Sequence, residues 1–141
     1  MCLELALGIV RGGEGATKLV TVTVTGAASP ADARQAAKAI ANSPLVKTAV
    51  HGGDPNWGRL IAVAGRAGVG FDLARARVTI GSIVLFRDGR PYDEASPLAA
   101  EHLKGKDISV TVTLGAGGAS STVCTCDHSA EYVRINADYR T

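Results

Sequence analysis

The sequence has few aromatic residues and few cysteines, and it has no long apolar or basic runs. Aromatic residues make up 4% of the chain, so the base-stacking surfaces typical of nucleic-acid-binding proteins are not expected. The net charge is +2 and both signs are interspersed, which also argues against a nucleic-acid partner. The three cysteines are an odd number and do not indicate a disulfide scaffold. Because no stretch of about 18 apolar residues exists, we expect no membrane span.

The composition that remains is aliphatic. Hydrophobic residues account for 46% of the 141 residues and charged residues for 20%, as in soluble globular domains. We therefore expect one domain, residues 1–141, with a core of Val, Ala, Leu and Ile. The first residues lack the basic start of a signal peptide, so we expect a cytoplasmic location.

Hydrophobic periodicity predicts an α+β domain in which a mixed β-sheet is layered with helices on one face. Predicted helices cover residues 2–10, 29–43, 57–65, 95–104 and 129–136. Predicted strands or extended segments cover residues 18–25, 45–50, 78–80, 83–86, 108–114 and 120–126. Glycine-rich residues 115–118 are interpreted as a hairpin loop, and Asp88-Gly89 as a hairpin turn.

Capping signals locate some of the helix starts. Ser29 followed by Pro30 is typical of an N-cap and a first helical position, and Asp54 followed by Pro55 repeats the pattern. The helix at residues 2–10 has no capping residue before it. We therefore expect that a segment upstream of it is missing.

Four segments together resemble the ornithine acetyltransferase (glutamate N-acetyltransferase) family. They are EGATK at 14–18, SPLVKTA at 43–49, GDPNWGR at 53–59 and YVRINADYRT at 132–141. The resemblance implies an N-terminal-nucleophile-type fold and a full-length protein that cleaves itself before a threonine into an α and a β chain. It also implies that this sequence is the C-terminal part of the β chain.

The resemblance also implies a reaction. The new N-terminal threonine takes an acetyl group from N-acetylornithine, releases ornithine and passes the acetyl group to glutamate, without a metal or an organic cofactor. Some members also use acetyl-CoA, and two α and two β chains assemble. The Met-Ala-Thr-Met motif of the nucleophile is not found in this sequence, and the oxyanion-hole residues belong to the α chain. We therefore expect no catalytic residue in this chain, and no activity from it alone.

The residues that match the family's substrate-binding positions are Glu14, Asn136 and Thr141. The glycines around Glu14 let its carboxylate approach a ligand closely, and a carboxylate suits a substrate ammonium. Asn136 can both donate and accept hydrogen bonds, and Thr141 brings a hydroxyl. The alternative function is a stand-alone, non-catalytic amino-acid-binding or regulatory module.

Two other groups of residues invite a chemical interpretation. The Ala16–Thr17 bond resembles a self-cleavage site, but Thr17 leads directly into a predicted strand and the family's cleavage threonine lies elsewhere. Zinc ligands on one face of a strand would have the spacing of Cys124, Cys126 and His128. A fourth ligand, however, is not evident. We expect the two cysteines to be small buried thiols and expect no metal site.

Overall fold

The computed structural model describes residues 2–13 and 15–138, apart from the side chains of Tyr132, Asn136 and Asp138. The helices are α1 (Cys2–Arg11), α2 (Pro30–Ala41), α3 (Pro44–His51), α4 (Trp57–Gly65), α5 (Ser96–Leu103) and α6 (Ala130–Asp138). The strands are β1 (Leu19–Ala27), β2 (Arg77–Ile80), β3 (Ile83–Arg87), β4 (Arg90–Pro91), β5 (Asp107–Thr113) and β6 (Ala119–Cys126). Short 3-10 turns occupy Leu73–Arg75 and Asp93–Ala95.

The strands form one mixed sheet in the order β4-β3-β2-β5-β1-β6. β1 pairs with β5 in parallel and with β6 antiparallel, and the other pairs are antiparallel. Since β1 lies between β5 and β6, residues 115–118 do not form the predicted hairpin loop. They cross the end of β1 instead, where the Ala116 amide donates to the Gly26 carbonyl at 2.8 Å.

Alternation along β1 separates a core face from a hydroxyl-bearing face. Val20, Val22 and Val24 are buried in one cluster with apolar residues of α2 and α4. On the opposite face Thr23 lies between Thr111 of β5 and Thr122 of β6. These threonines are half-buried or exposed. The predicted layer of helices over one face of a mixed sheet is therefore present.

Helix α2 shows how local signals produce the packing. Ser29 accepts a hydrogen bond from the Asp32 amide at 3.1 Å, as an N-cap does, and Pro30 follows it. The apolar residues recur at helical spacing and are buried: Ala33, Ala36, Ala37 and Ile40. Both the cap and the buried face were predicted, because each depends only on residues within one or two turns.

The prediction for residues 45–50 was wrong, because they form helix α3. Ser43 caps it by accepting from the Val46 amide at 3.4 Å, and Pro44 occupies its first turn. Val46, Ala49 and Val50 are the buried residues, at the spacing of a helix. Ser43-Pro44 therefore starts a helix, as Ser29-Pro30 does, in addition to following the end of α2.

The cap of α4 was assigned to the wrong residue. Asn56 Oδ1 accepts from the Arg59 amide at 3.0 Å, whereas Asp54 Oδ2 accepts from the Asn56 side-chain amide at 3.1 Å. Trp57 stacks on Phe86 with ring centroids 5.0 Å apart. The GDPNWGR motif thus builds and packs a helix start.

The predicted Asp88-Gly89 turn is confirmed. Both residues have positive φ, 52° and 76°, as a two-residue hairpin turn of type I′ requires. The turn joins β3 to the short strand β4, which the sequence analysis did not predict. None of the described helices combines the length and apolar character needed to cross a membrane.

Replacing Ile40 with alanine should lower the free energy of unfolding by about 2–5 kcal/mol, because it leaves a cavity in a closely packed core. Ile40 is fully buried, whereas Leu98 on α5 is largely exposed. Leu98→Ala is therefore the control and should change the free energy by no more than about 0.5 kcal/mol. Urea denaturation measures both, and equal losses would contradict the placement of the core.

Candidate functional site

A buried carboxylate holds the segment that precedes β1. Asp127, which follows β6, is 1% exposed. Its Oδ1 accepts from the backbone amides of Thr17 at 2.8 Å and Lys18 at 2.9 Å. Its Oδ2 accepts from the Thr17 hydroxyl and from His51 Nδ1, the latter at 2.7 Å. Four donors therefore satisfy a group that would otherwise be costly to bury.

The sheet register explains why these residues meet. In the antiparallel pair of β1 and β6, Leu19 lies opposite Cys126. The residues just before Leu19 and just after Cys126 therefore leave the sheet side by side. Thr17 and Asp127 come together in this way although 110 residues separate them in the chain.

Ser129 provides a second attachment to the same segment. Its hydroxyl donates to the Gly15 carbonyl at 2.5 Å, and its side chain is buried. We call Asp127 and Ser129 the clamp. On the other side of the segment, the ammonium of Lys18 donates to the carbonyls of Val50 at 2.9 Å and Leu103 at 2.5 Å. Backbone and side-chain bonds thus fix residues 15–18 from two directions.

The orientation of His51 follows from the chemistry of its partner. An ionised carboxylate only accepts hydrogen bonds, so His51 Nδ1 must carry the hydrogen it shares with Asp127. The Thr17 hydroxyl lies 3.4 Å from the same nitrogen and also donates to Asp127. Because both groups are donors to one oxygen, His51 Nδ1 is not a base for Thr17. This geometry gives Thr17 a structural role, in line with its predicted exclusion as a nucleophile.

Burial and hydrogen bonding have opposite effects on the pKa of Asp127. Burial alone would raise the pKa of this carboxyl, but the donors from Thr17, His51 and Lys18 outweigh it and hold the pKa below its ordinary value. The neighbouring His128 also has a lowered pKa, because burial and the positive charge of Lys47 disfavour the imidazolium. The negative charge of Asp127 raises the pKa of His128, but by less than the other two effects lower it.

A cavity of about 270 Å³ adjoins the clamped segment. Its wall includes Thr17 and Lys18 of that segment, together with Arg11, Lys106 and Asp107. Arg11 Nη2 lies 3.2 Å from Asp107 Oδ1. Arg11 balances the charge of Asp107, and Lys106 adds a further positive charge, so the cavity has a net positive wall, which suits an anionic ligand.

The predicted site residues fall mainly outside the described part of the chain. Glu14 and Thr141 lie outside the described residues, and Asn136 lies within α6 with its side chain outside them. The described neighbours do come together, however. Gly15 follows Glu14 and bonds to Ser129, and Ser129 directly precedes α6, the helix that contains Asn136.

The roles of Asp127, Ser129 and His51 were not predicted from the sequence. Nothing in the local pattern marks them, because a single aspartate after a strand is usually a solvated loop residue. Their roles depend on the pairing of β1 with β6. That pairing was not predicted, although both strands were.

The two cysteines of β6 were expected to be buried, but both are half-buried. Cys124 Sγ lies 3.9 Å from the Thr21 hydroxyl, a packing contact within the sheet. β6 ends at Cys126, so the strand alternation that suggested a shared face does not extend to His128. Within residues 2–13 and 15–138 no group of three His, Cys, Asp or Glu side chains is arranged to hold a metal ion.

The whole chain matches a known protein family. A model of the ArgJ family matches residues 1–141. The chain belongs to the ArgJ family. The resemblance inferred from the four motifs is thereby confirmed.

Individual members of the family show the extent of the match. The arginine biosynthesis bifunctional protein ArgJ of Desulfotalea psychrophila is 48% identical over 140 residues, which cover 99% of this chain and 36% of that protein. The protein of the same name from Gloeobacter violaceus is 46% identical over 142 residues, 100% of this chain and 35% of that one. This chain therefore spans about a third of the length of these relatives.

A solved structure shows the same fold. The crystal structure of ArgJ from Bacillus halodurans superposes with a TM-score of 0.93 at 41% identity, covering 98% of this chain and 65% of that chain. The predicted fold class, an α+β mixed sheet of the N-terminal-nucleophile type, is confirmed.

The Ala16–Thr17 bond should remain intact. A self-cleaving threonine needs a base to take its proton, whereas the Thr17 hydroxyl donates to a carboxylate that three further donors stabilise in its charged form, which makes it a weak base. Intact-mass measurement of the purified chain after prolonged incubation checks this. Loss of the first sixteen residues would show that Thr17 is the nucleophile.

The free energy of unfolding should fall in two steps as the solution is acidified. Asp127 and His128 both have a lower pKa in the folded chain. During acidification the unfolded chain therefore binds a proton at each group at a higher pH than the folded chain does. Stability should be lost as pH falls below the ordinary imidazole pKa of about 6.5, and again below the ordinary carboxyl pKa of about 3.9. Urea unfolding across this range measures both steps. His128→Asn should flatten the first step and leave the second, and an unchanged first step would refute the assignment to His128.

Proposed function

We propose that this chain is part of an acetyltransferase of arginine biosynthesis that moves an acetyl group from N-acetylornithine to glutamate. Membership of the ArgJ family and the names of the relatives support this class of function. The observation that carries the proposal is the clamp. It joins the segment next to Glu14 to the start of the helix that contains Asn136. Glu14 and Asn136 both match the family's substrate-binding positions.

The proposed roles follow from the chemistry of each side chain. Glu14 forms a charge-assisted hydrogen bond with a substrate ammonium, which ornithine carries on its side chain. Asn136 donates to or accepts from polar groups of the substrate, and the Thr141 hydroxyl completes the pocket. The cationic cavity beside Thr17 provides a favourable field for the carboxylates of N-acetylornithine and glutamate.

The catalytic groups are proposed to lie elsewhere in the family protein. This chain spans about a third of its relatives and has no Met-Ala-Thr-Met motif. The nucleophile would be the N-terminal threonine that self-cleavage exposes in the remainder of the β chain, with the oxyanion hole in the α chain. Two α and two β chains would assemble in the cytoplasm, and the reaction would need no metal or organic cofactor.

The transfer would then run in two half-reactions. The threonine oxygen attacks the acetyl carbonyl of N-acetylornithine, the C–N bond breaks and ornithine leaves with a proton on its nitrogen. The amine of glutamate attacks the acetyl-threonine ester and restores the threonine hydroxyl. In both half-reactions this chain would bind and orient the amino acid, which supplies proximity.

A chimaera tests this proposal. This chain replaces the matching third of the Desulfotalea psychrophila ArgJ protein, and transfer from N-acetylornithine to glutamate is measured by steady-state kinetics. Asn136→Ala should lower kcat/KM by an amount equivalent to about 1–3 kcal/mol, because a substrate group loses its partner in a partly dry site. Glu14→Gln keeps the shape and removes the charge, and it should weaken the use of N-acetylornithine.

The controls are two exposed glutamates outside the proposed pocket. Glu131 lies on α6, the same helix as Asn136, and pairs only with Arg134 among the described contacts. Glu101 on α5 pairs with Lys104. Glu131→Gln and Glu101→Gln should leave the kinetics unchanged. This chain by itself should transfer no acetyl group. Should the Asn136 and Glu14 variants both run at the unmodified rate in an active chimaera, the pocket is elsewhere.

A further inference from the structure

We infer that Asp127 is a positioning residue for the proposed amino-acid pocket: it sets the place of the segment next to Glu14 relative to the helix that contains Asn136. This inference rests on the proposed function. Asp127 acts through the backbone that it binds and not through contact with the substrate. Asp127 lies outside the four family motifs.

The segment that follows α1 needs an external attachment. Gly12, Gly13 and Gly15 surround Glu14, and Gly15 has a φ of 68°, a conformation that other residues rarely adopt. Glycines of this kind leave a chain many conformations in the absence of constraints. A carboxylate placed among them approaches a ligand freely, but it has a defined position only if its neighbours are fixed.

Asp127 provides that constraint at the backbone level. Its Oδ1 binds two consecutive amides, those of Thr17 and Lys18, so it fixes the direction of the main chain and not merely one side chain. Only two residues separate Thr17 from Glu14. The Ser129 hydroxyl also holds the Gly15 carbonyl, so the constraint extends to the residue that directly follows Glu14 in the sequence.

The same stretch leads directly into α6. Ser129 holds the Gly15 carbonyl, and α6 begins at the next residue, Ala130. The two segments that match the substrate-binding motifs therefore share one anchor, the clamp. The clamp thus holds together two segments that are far apart in sequence.

The charge of Asp127 is needed for this arrangement. Thr17 Oγ1 and His51 Nδ1 both donate to Oδ2, while two amides donate to Oδ1. An asparagine has the same shape but carries donors on one of these two positions, so it must place a donor against donors. Asp127→Asn therefore disturbs the clamp with little change in volume.

A double-mutant cycle in the chimaera tests the inference. Asp127→Asn should raise the KM for N-acetylornithine about tenfold with a smaller change in kcat. In a Glu14→Gln background the same substitution should raise KM by less than about threefold, because the residue through which it acts is already impaired. Ser29→Ala removes the N-cap of α2, away from the clamp. It is the matched control: it should lower the melting temperature and leave the KM unchanged.

Each outcome has a definite meaning. If the effects of Asp127→Asn and Glu14→Gln on KM multiply, the two residues act independently and the inference is wrong. The inference is also wrong if Asp127→Asn changes only the melting temperature, because Asp127 is then merely structural. In both cases the proposed function stands. If Glu14→Gln alone has no effect in an active chimaera, the pocket assignment fails and the inference fails with it.

If Asp127→Asn does not fold, Thr17→Val takes its place, since it removes one donor to Oδ2 and keeps both backbone bonds. It should show the same dependence on Glu14 with a smaller effect, and independence from Glu14 would overturn the inference.

Discussion

A carboxylate withdrawn from water must find donors, and Asp127 finds four: two backbone amides, a hydroxyl and an imidazole. Hydrogen bonds to a charged acceptor are stronger than those between neutral groups, so this cluster holds its residues in fixed positions. The segment before β1 and the segment after β6 both depend on it. Without the carboxylate, the Thr17 and Lys18 amides and the Thr17 hydroxyl would lose a shared acceptor.

The sheet makes that cluster possible. β1 lies between β5 and β6, and its antiparallel pairing with β6 brings Leu19 opposite Cys126. One face of β1 is buried under α2, which contributes alanines that allow a close approach, and this burial fixes the register. A slip of one residue would turn Val22 away from the core and would separate Thr17 from Asp127. Core packing and the clamp therefore stabilise the same register.

The clamp also connects the fold to the proposed chemistry. The ArgJ family match covers residues 1–141, whereas the described geometry concentrates its unusual polar contacts around residues 15–18 and 127–129. These segments adjoin the motifs that contain Glu14 and Asn136, and residues 16–18 also line the cavity with the cationic wall. A pocket for an amino acid needs opposite charges held at fixed separation. Buried polar contacts provide this better than flexible surface side chains.

The sequence by itself determined the local elements and the family. Ser29 and Pro30 specify the start of α2, alternating valines and threonines specify β1, and four motifs identified the relatives. Such signals act over a few residues, so they can be read without knowledge of the fold. Even so, residues 45–50 were misassigned, because a short apolar segment fits a strand or a helix and only the buried face of α3 decides between them. The tertiary structure alone decided the strand order, the course of residues 115–118 and the clamp. Thr17 and Asp127 are 110 residues apart, and only the pairing of β1 with β6 makes them neighbours.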